Sequence, residues 1–239
     1  MSDPIQPAPV RPDDPYGRMI HAASDALDTP DRETIGRLAQ GVRQVIEGLV
    51  AHRAPLAEME EAAGLIEQVA DLLGRQPGQR AYESFAEAAN ADTPYTFFDN
   101  SPIIGMANPL APPAELRIEG DQVIGSVVFG SAYEGPPGHV HGGYLAATFD
   151  ELLGLAQTLS GQSGMTGTLT IRYRRPTPLH RVISLEAELI KVDGRKVTVV
   201  GRSFVDGQLT AESEGIFISL NSERFAQLLT ARQEPGPAD

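Results

Sequence analysis

The sequence predicts an α+β protein in which an antiparallel sheet wraps around a central helix, with a helical extension on the amino-terminal side. Three observations predict this fold class. Amphipathic helical patterns fill residues 31–75, runs rich in β-branched residues fill 114–222, and one unusually apolar helical stretch interrupts those runs. With 239 residues, of which 41% are hydrophobic and 21% charged, the chain has the composition of a globular protein.

The amino-terminal part divides into a leader and two helices. Residues 1–30 are rich in proline, aspartate and alanine without a sustained period, which predicts a flexible leader. Apolar residues then recur at helical spacing over 34–50 and again over 56–73, and Pro55 separates the two patterns. We expect these helices to form an amphipathic hairpin over 31–75 that packs on another part of the protein.

Prolines punctuate residues 76–113, which we expect to be an irregular connection. The β-rich domain follows over 114–222, and residues 223–239 form a tail. Turn signals separate its runs at Glu119-Gly120-Asp121, Asp193-Gly194 and Asp206-Gly207. Tight turns between consecutive strands predict an antiparallel sheet. The expected strands cover 114–119, 122–130, 166–175, 182–193, 195–206 and 209–220.

The apolar helix is predicted over residues 143–158, where Asp150 and Glu151 are the charged residues. A short helix that is apolar around most of its circumference belongs in a core, so we expect the sheet to wrap around it. The neighbours of Asp150 three and four positions away are apolar or small, and an ionised carboxylate there is costly unless it is paired or functional. A purely structural carboxylate with buried donors is the alternative. We expect Glu151 at a helix edge, facing water or an interface.

The nine residues 135–143 before this helix are rich in glycine and histidine. Gly142 and Gly143 leave backbone amides uncovered at the end of a helix whose dipole favours negative charge, which suits an oxyanion hole. His139 and His141 have no obvious third metal ligand nearby, so we expect no metal. A serine triad is also disfavoured, because no Gly-x-Ser-x-Gly motif is present.

Charge and composition exclude several classes of protein. A net charge of −13 argues against a protein that coats nucleic acid or an anionic membrane. The local excess of arginine and lysine over 172–202 suits a small anionic ligand, although solvated outer faces of strands are the alternative. The absence of cysteine excludes disulfide scaffolds, zinc ribbons and a cysteine nucleophile. We expect no membrane span and no secretory signal, and therefore a cytoplasmic location.

His141-Gly142-Gly143, with Asp150 nine residues after the histidine, resembles the hotdog-fold acyl-CoA thioesterases. The resemblance is strongest to the branch that includes the phenylacetate-pathway enzymes and thioesterase superfamily member 4. The segment 166–176 is similar to a strand motif of that branch, and 193–196 to its characteristic turn. The similarity spans roughly residues 100–220, so the helical extension is not part of it.

This resemblance implies a hotdog fold that hydrolyses an acyl-CoA thioester to a free carboxylic acid and coenzyme A, without a metal or redox cofactor. It implies that Asp150 is the catalytic carboxylate, acting either as general base on water or as nucleophile. Thr166 would orient the attacking water, and the amide of Gly143 would polarise the thioester carbonyl. An asparagine that some branches place before His-Gly-Gly is absent here, so His139 or His141 could supply that polar contact.

The same resemblance, together with the basic excess, makes four cations candidates for the coenzyme A phosphates: Arg174, Arg175, Arg195 and Lys196. Gly142 and His139 complete the expected substrate-binding residues, and His141 is grouped with the catalytic ones.

Spacing along the helix adds an argument about subunits. Gly143 and Asp150 are seven residues apart, which is about 10 Å along the axis at about 1.5 Å per residue. A thioester carbonyl held by the Gly143 amide can hardly also meet a water held by Asp150 of the same chain. If both residues act on one bond, they should therefore come from different chains. We therefore expect a homodimer, or a dimer of dimers, with the active site at the subunit interface.

Two other functions remain open for such a domain. One is a non-catalytic, regulatory protein that binds acyl-CoA, which would release no free thiol. The other is a hotdog hydratase acting on enoyl thioesters, which would add the mass of water and keep the coenzyme.

Overall fold

The computed structural model of the chain describes residues 30–75, 99–112, 114–162 and 164–219. Almost all of the expected leader, most of the expected connection over 76–113, and the expected tail lie outside these residues. The described α-helices are α1 (Pro30–Ala51), α2 (Leu56–Leu73) and α3 (Gly142–Gln157). Short 3-10 turns cover Ser131–Tyr133 and Thr158–Ser160. None of the described helices combines the length and apolar character that crossing a bilayer requires.

The predicted antiparallel sheet is confirmed, with six strands in the order β1-β2-β4-β5-β6-β3. The strands are β1 (Ala114–Glu119), β2 (Gln122–Val128), β3 (Gly164–Tyr173), β4 (Val182–Asp193), β5 (Lys196–Val205) and β6 (Gln208–Ser219). Their ends fall within two residues of the expected ones. β2 is shorter than expected because the chain turns at Ser131 instead of continuing the ladder.

The tight turns explain why neighbouring strands of the sequence pair so often. Gly120, Gly194 and Gly207 have φ angles of 64°, 59° and 76°, a left-handed conformation that glycine adopts without steric cost. These turns close the β1–β2, β4–β5 and β5–β6 hairpins. β3 instead pairs with β6 and forms one edge of the sheet.

One face of α3 packs on the sheet and forms the core. The buried side chains of the helix recur at helical spacing: Leu145, Thr148, Phe149, Leu152, Leu153 and Ala156. They meet inward-facing residues of β2, β4, β5 and β6, among them Val123, Ile183, Val197 and Phe217. The expected packing of an antiparallel sheet around a central helix is confirmed, and within one chain the sheet covers one side of α3. Asp150 and Tyr144, off this stripe, are exposed, because six strands cover only one side of α3.

Helix α1 is attached to the domain by polar contacts. The guanidinium of Arg43 donates to four backbone carbonyls, those of Gly105, Met106, Asn108 and Ala111, at 2.8–3.0 Å. Arg32 forms an ion pair with Asp99 at 2.7 Å, and Glu47 accepts hydrogen bonds from the amide and hydroxyl of Ser131. α1 is therefore held both by the segment 99–112 and by the turn at Ser131.

Helix α2 begins and ends where the sequence predicts, but it buries none of its residues. The expectation that an amphipathic hairpin over 31–75 packs on another part of the protein therefore stays a prediction for α2.

Candidate active site

His141 caps the amino-terminal end of α3 with its own side chain. Its Nδ1 accepts a hydrogen bond from the Gly143 amide at 3.0 Å. The amide that was expected to be open is therefore occupied by the His141 ring. Because Nδ1 accepts, the proton of a neutral His141 ring lies on Nε2, which makes Nε2 a donor. Among the described residues, the amide of Gly142 has no acceptor.

Tyr173 joins the end of β3 to the start of α3. Its hydroxyl donates to the carbonyl oxygen of Gly142 at 2.7 Å. A Cβ atom at Gly142 would lie 3.1 Å from that hydroxyl oxygen, tighter than most real contacts, so a glycine here suits the close approach. Sequence reasoning did not single out Tyr173 as a positioning residue, although the residue lies within the motif that carries the resemblance.

Asp150 and Thr166, predicted separately from the sequence, lie together. The hydroxyl of Thr166 donates to Oδ1 of Asp150 at 2.8 Å. The expectation that Asp150 is buried among apolar neighbours is wrong for one chain, since both residues are exposed. Asp150 projects from the side of α3 that the sheet leaves uncovered, beside the edge strand β3.

A bulge in β3 turns Thr166 toward the helix. Thr166 pairs with Phe217 of β6, whereas Thr168 pairs with Ile216, so Gly167 is an extra residue on β3. Directly opposed residues share a face of the sheet, and Phe217 is buried on the face that α3 covers. The extra residue therefore places the Thr166 side chain on the same side as Asp150, while Thr168 points outward.

Glu151 is the more buried of the two adjacent carboxylates and is half-buried in one chain, so it does not simply face water, and its expected place at an interface stays a prediction. Burial raises its pKa above the ordinary value, and the negative charge of Asp150 acts in the same direction. A hydrogen bond from the Ser101 hydroxyl, 2.8 Å from Oε1, opposes this rise. The cover comes from residues 99–112, a segment that the sequence indicated only as irregular.

A cavity of about 360 Å³ lies next to the start of α3. It gathers four of the residues expected to bind substrate: His139, Gly142, Arg174 and Arg175. Pro136, Val140, Leu145 and Pro176 give the cavity apolar walls beside these polar groups. Asp150 and Thr166 do not line it, so one chain separates the carboxylate from the cavity at the helix end.

The four candidate cations fall into two groups at opposite ends of β3. Arg174 follows the carboxyl end of β3, where its guanidinium pairs with Glu212, and Arg175 donates to the Leu209 carbonyl at 2.8 Å. Arg195 and Lys196 lie at the β4–β5 turn. Arg195 donates to the Ser219 carbonyl, and Lys196 pairs with Ile218, which pairs in turn with Met165 of β3. This second group is therefore at the Thr166 end of the strand.

Within the described ranges, no three His, Asp or Glu side chains are grouped so that they could hold a metal ion. The metal-free and cofactor-free chemistry expected from the sequence stays a prediction.

Comparison with known proteins places this arrangement in a family. The family model of the thioesterase superfamily matches residues 137–211, which include the start of α3, Asp150 and Thr166. A solved crystal structure of a thioesterase superfamily protein is 34% identical, with a TM-score of 0.68. The match covers 77% of this chain and 90% of that one.

Two curated relatives match a shorter region. Acyl-coenzyme A thioesterase THEM4 of Xenopus laevis is 37% identical over 93 residues, or 38% of this chain and 42% of the relative. Acyl-coenzyme A thioesterase THEM5 of Homo sapiens is 34% identical over 96 residues, or 39% of each chain. The chain thus spans about two fifths of the length of these curated relatives. From the family model and the solved structure together, the chain belongs to the thioesterase superfamily and has its hotdog fold.

Proposed function

We propose that this protein hydrolyses an acyl-CoA thioester to a free carboxylic acid and coenzyme A. The observation that carries the proposal is the hydrogen bond from Thr166 to Asp150, which orients an accessible carboxylate at the edge of the domain. The curated relatives that match this region are named acyl-coenzyme A thioesterases, which supports the same reaction. The cytoplasmic location expected from the sequence stays a prediction.

The proposed site is completed by a second copy of the chain. β3 is a ten-residue edge strand whose outer hydrogen-bonding groups have no partner in the described sheet, and a long edge of this kind is usually covered. A twofold axis that pairs β3 with its copy in antiparallel fashion brings the Thr166 end of one strand beside the Tyr173 end of the other. Asp150 of one protomer then faces Gly142 and Gly143 of its partner.

In this composite site, the chemistry follows from the hydrogen bonds. The Thr166 hydroxyl donates a hydrogen bond to Asp150 Oδ1, so its oxygen is free to accept a hydrogen bond from a water molecule. The same water donates its other hydrogen to Oδ2 of Asp150 and attacks the thioester carbonyl carbon as Asp150 takes its proton. The carbon–sulfur bond then breaks, and Asp150 returns the proton to the leaving thiolate.

The carbonyl oxygen gains negative charge in this step and needs donors at the end of α3. In the proposal the amide of Gly143 exchanges the His141 ring for that oxygen, and His141 Nε2 is a second donor nearby. In the proposed dimer, four cations meet at one end of the composite site. Arg174 and Arg175 come from the partner, and Arg195 and Lys196 come from the protomer that supplies Asp150. Their charge suits the phosphates of coenzyme A.

The test is to compare Asp150→Asn with the matched neighbour Glu151→Gln, using release of free thiol from a panel of acyl-CoA substrates. We expect Asp150→Asn to lower kcat by about 10²–10⁴-fold with little change in the Kd for a non-hydrolysable acyl-CoA analogue. Glu151→Gln should keep kcat within a few fold. An unchanged kcat in Asp150→Asn removes the mechanism, whereas binding without thiol release in the wild type indicates a regulatory protein. Addition of water with the coenzyme retained indicates a hydratase.

Sharing of the site between chains is tested by co-expressing Asp150→Asn and His141→Asn chains, each of which we expect to be at least about 10-fold slower than wild type as a homodimer. If each site takes Asp150 from one chain and His141 from the other, one of the two sites in a mixed dimer contains an intact Asp150 and an intact His141. Random pairing then restores about a quarter of the wild-type activity per dimer. If both residues act within one chain, no site is intact and activity does not return.

A further inference from the structure

Helix α1 carries an apolar stripe that the protein leaves largely uncovered. Its members recur at three- and four-residue spacing, and all but the half-buried Val42 are exposed: Ile35, Leu38, Val42, Val45 and Leu49. This spacing is that of the seam between two packed helices. Leu49 is 75% exposed and Ile35 and Val45 are each 45% exposed, because α1 rests on the domain through a different face that contains Ala39 and Arg43.

Helix α2 repeats the same pattern with no cover at all. Its stripe consists of Leu56, Met59, Ala63, Ile66, Ala70 and Leu73, and the helix has no buried residue. Of the 21 large hydrophobic residues exposed in the described chain, twelve lie between Ile35 and Leu73. Such a concentration of apolar surface marks an interaction site, since single exposed residues are normally scattered.

The charged residues on α1 and α2 favour pairing of α2 with α1 over pairing of α2 with a second α2. α2 contains Glu58, Glu60, Glu61, Glu67 and Asp71 and no basic residue, so two copies of α2 side by side would repel each other. α1 is balanced in charge, with three acidic residues (Asp31, Glu33 and Glu47) and three arginines (Arg32, Arg37 and Arg43). The acidic α2 is therefore repelled less by α1 than by a second α2, and the exposed Arg37 and Arg53 offer it opposite charge.

We propose that these two stripes form an interface with a second copy of this chain, in which α2 of one protomer packs along α1 of the other. The two helices of one chain do not cover each other in the structure. A twofold axis satisfies both complementary stripes at once, since each protomer offers one α1 and one α2. This interface is separate from the β3 edge, and it does not depend on thioester hydrolysis.

The sequence has no cysteine, so an introduced cysteine is its only thiol and reports a contact cleanly. Val42→Cys lies at the centre of the α1 stripe, and Ala63→Cys near the centre of the α2 stripe. Two differently tagged chains, one with each substitution, are mixed and treated with a short bismaleimide. We expect the mixed cross-link to form at least tenfold more than in a matched pair in which Gly64→Cys, on the polar side of α2, replaces Ala63→Cys.

The chain that carries both Val42→Cys and Ala63→Cys distinguishes the other occupants of the stripes. We expect its cross-link to join two chains. An internal cross-link alone would mean that α2 folds back on α1 of its own chain, and that result overturns the proposal. The absence of a mixed cross-link, or an equal yield with Gly64→Cys, overturns it as well. Far-ultraviolet circular dichroism and thiol release show whether each variant is folded.

Discussion

The Gly143 amide donates a hydrogen bond to Nδ1 of His141 over 3.0 Å, so the residue that precedes the glycine pair occupies one of its two amides. This contact gives His141 two separable properties. Nδ1 caps α3, and Nε2 carries the hydrogen that the proposed site directs at the thioester.

Substitution of His141 should separate capping from catalysis. His141→Ala removes both, and we expect the free energy of unfolding to fall by about 1 kcal/mol and kcat/KM by about 10–100-fold. His141→Asn keeps a side-chain oxygen that can accept the Gly143 amide, so it should retain the stability while losing turnover. Urea unfolding and thiol release on the three proteins check this. Equal stability of the alanine and asparagine variants contradicts the capping role.

Loss of the Thr166 hydroxyl should act on turnover and hardly on folding. Thr166→Val removes the hydroxyl that orients Asp150 and the attacking water, so kcat should fall by about 10–100-fold. Since both residues are exposed, the midpoint of thermal unfolding should shift by no more than about 2 °C. Thr166→Ser restores the hydroxyl and should recover most of the activity. A serine variant as slow as the valine variant would show that the hydroxyl is not the relevant group.

The raised pKa of Glu151 has a consequence for stability. Burial makes its folded-state pKa higher than the ordinary value of 4.5, so the folded chain holds this proton more tightly than the unfolded chain. Stability from this group is fully present below pH 4.5 and is lost as pH rises through the folded pKa. Glu151→Gln keeps an oxygen for Ser101 and has no charge to bury, so it should unfold at a higher temperature than wild type at pH 8. The difference should shrink as the pH is lowered toward 4, and a constant difference would contradict the prediction.

Removing Arg43 should loosen the attachment of α1. One guanidinium donates to four backbone carbonyls, and Arg43→Met removes all four of these hydrogen bonds, although the Gly105 and Asn108 carbonyls still accept from backbone amides. We expect a loss of about 2–4 kcal/mol in the free energy of unfolding, and a smaller loss for Arg43→Lys, whose single ammonium cannot reach all four. Arg117→Met is the control, because Arg117 is an exposed partner of Glu119 and should change stability by less than about 1 kcal/mol. Similar losses at both positions would argue against the role of Arg43.

The sheet and its helices could be predicted from the sequence because local signals and the final contacts agree. Asp-Gly turns fix the β4–β5 and β5–β6 hairpins, and alternating apolar residues fix which side of each strand faces the core. The start of α3 was predictable because two glycines and the preceding histidine mark a helix end. The pairing of β3 with β6 was not predicted, because no turn joins these strands and the contact is distant along the chain.

The site was predictable in its residues and less so in their surroundings. Asp150 and Thr166 were both expected, yet the exposure of Asp150 was not, because a wholly apolar helix gives no sign of which side a single chain leaves uncovered. The cover over Glu151 comes from Ser101, fifty residues away, in a segment without periodicity. The capping of Gly143 by His141 depends on a side-chain rotamer that sequence does not specify.

Gly167 determines which face of the sheet the Thr166 side chain lies on. Along a strand, odd and even positions point to opposite surfaces, and the additional glycine shifts Thr166 from one set to the other. Deleting Gly167 would remove no side chain from the protein. It would nevertheless turn the Thr166 hydroxyl to the outer surface of the sheet, away from Asp150. Relatives that use this threonine must therefore preserve the number of residues in this strand as well as their identity.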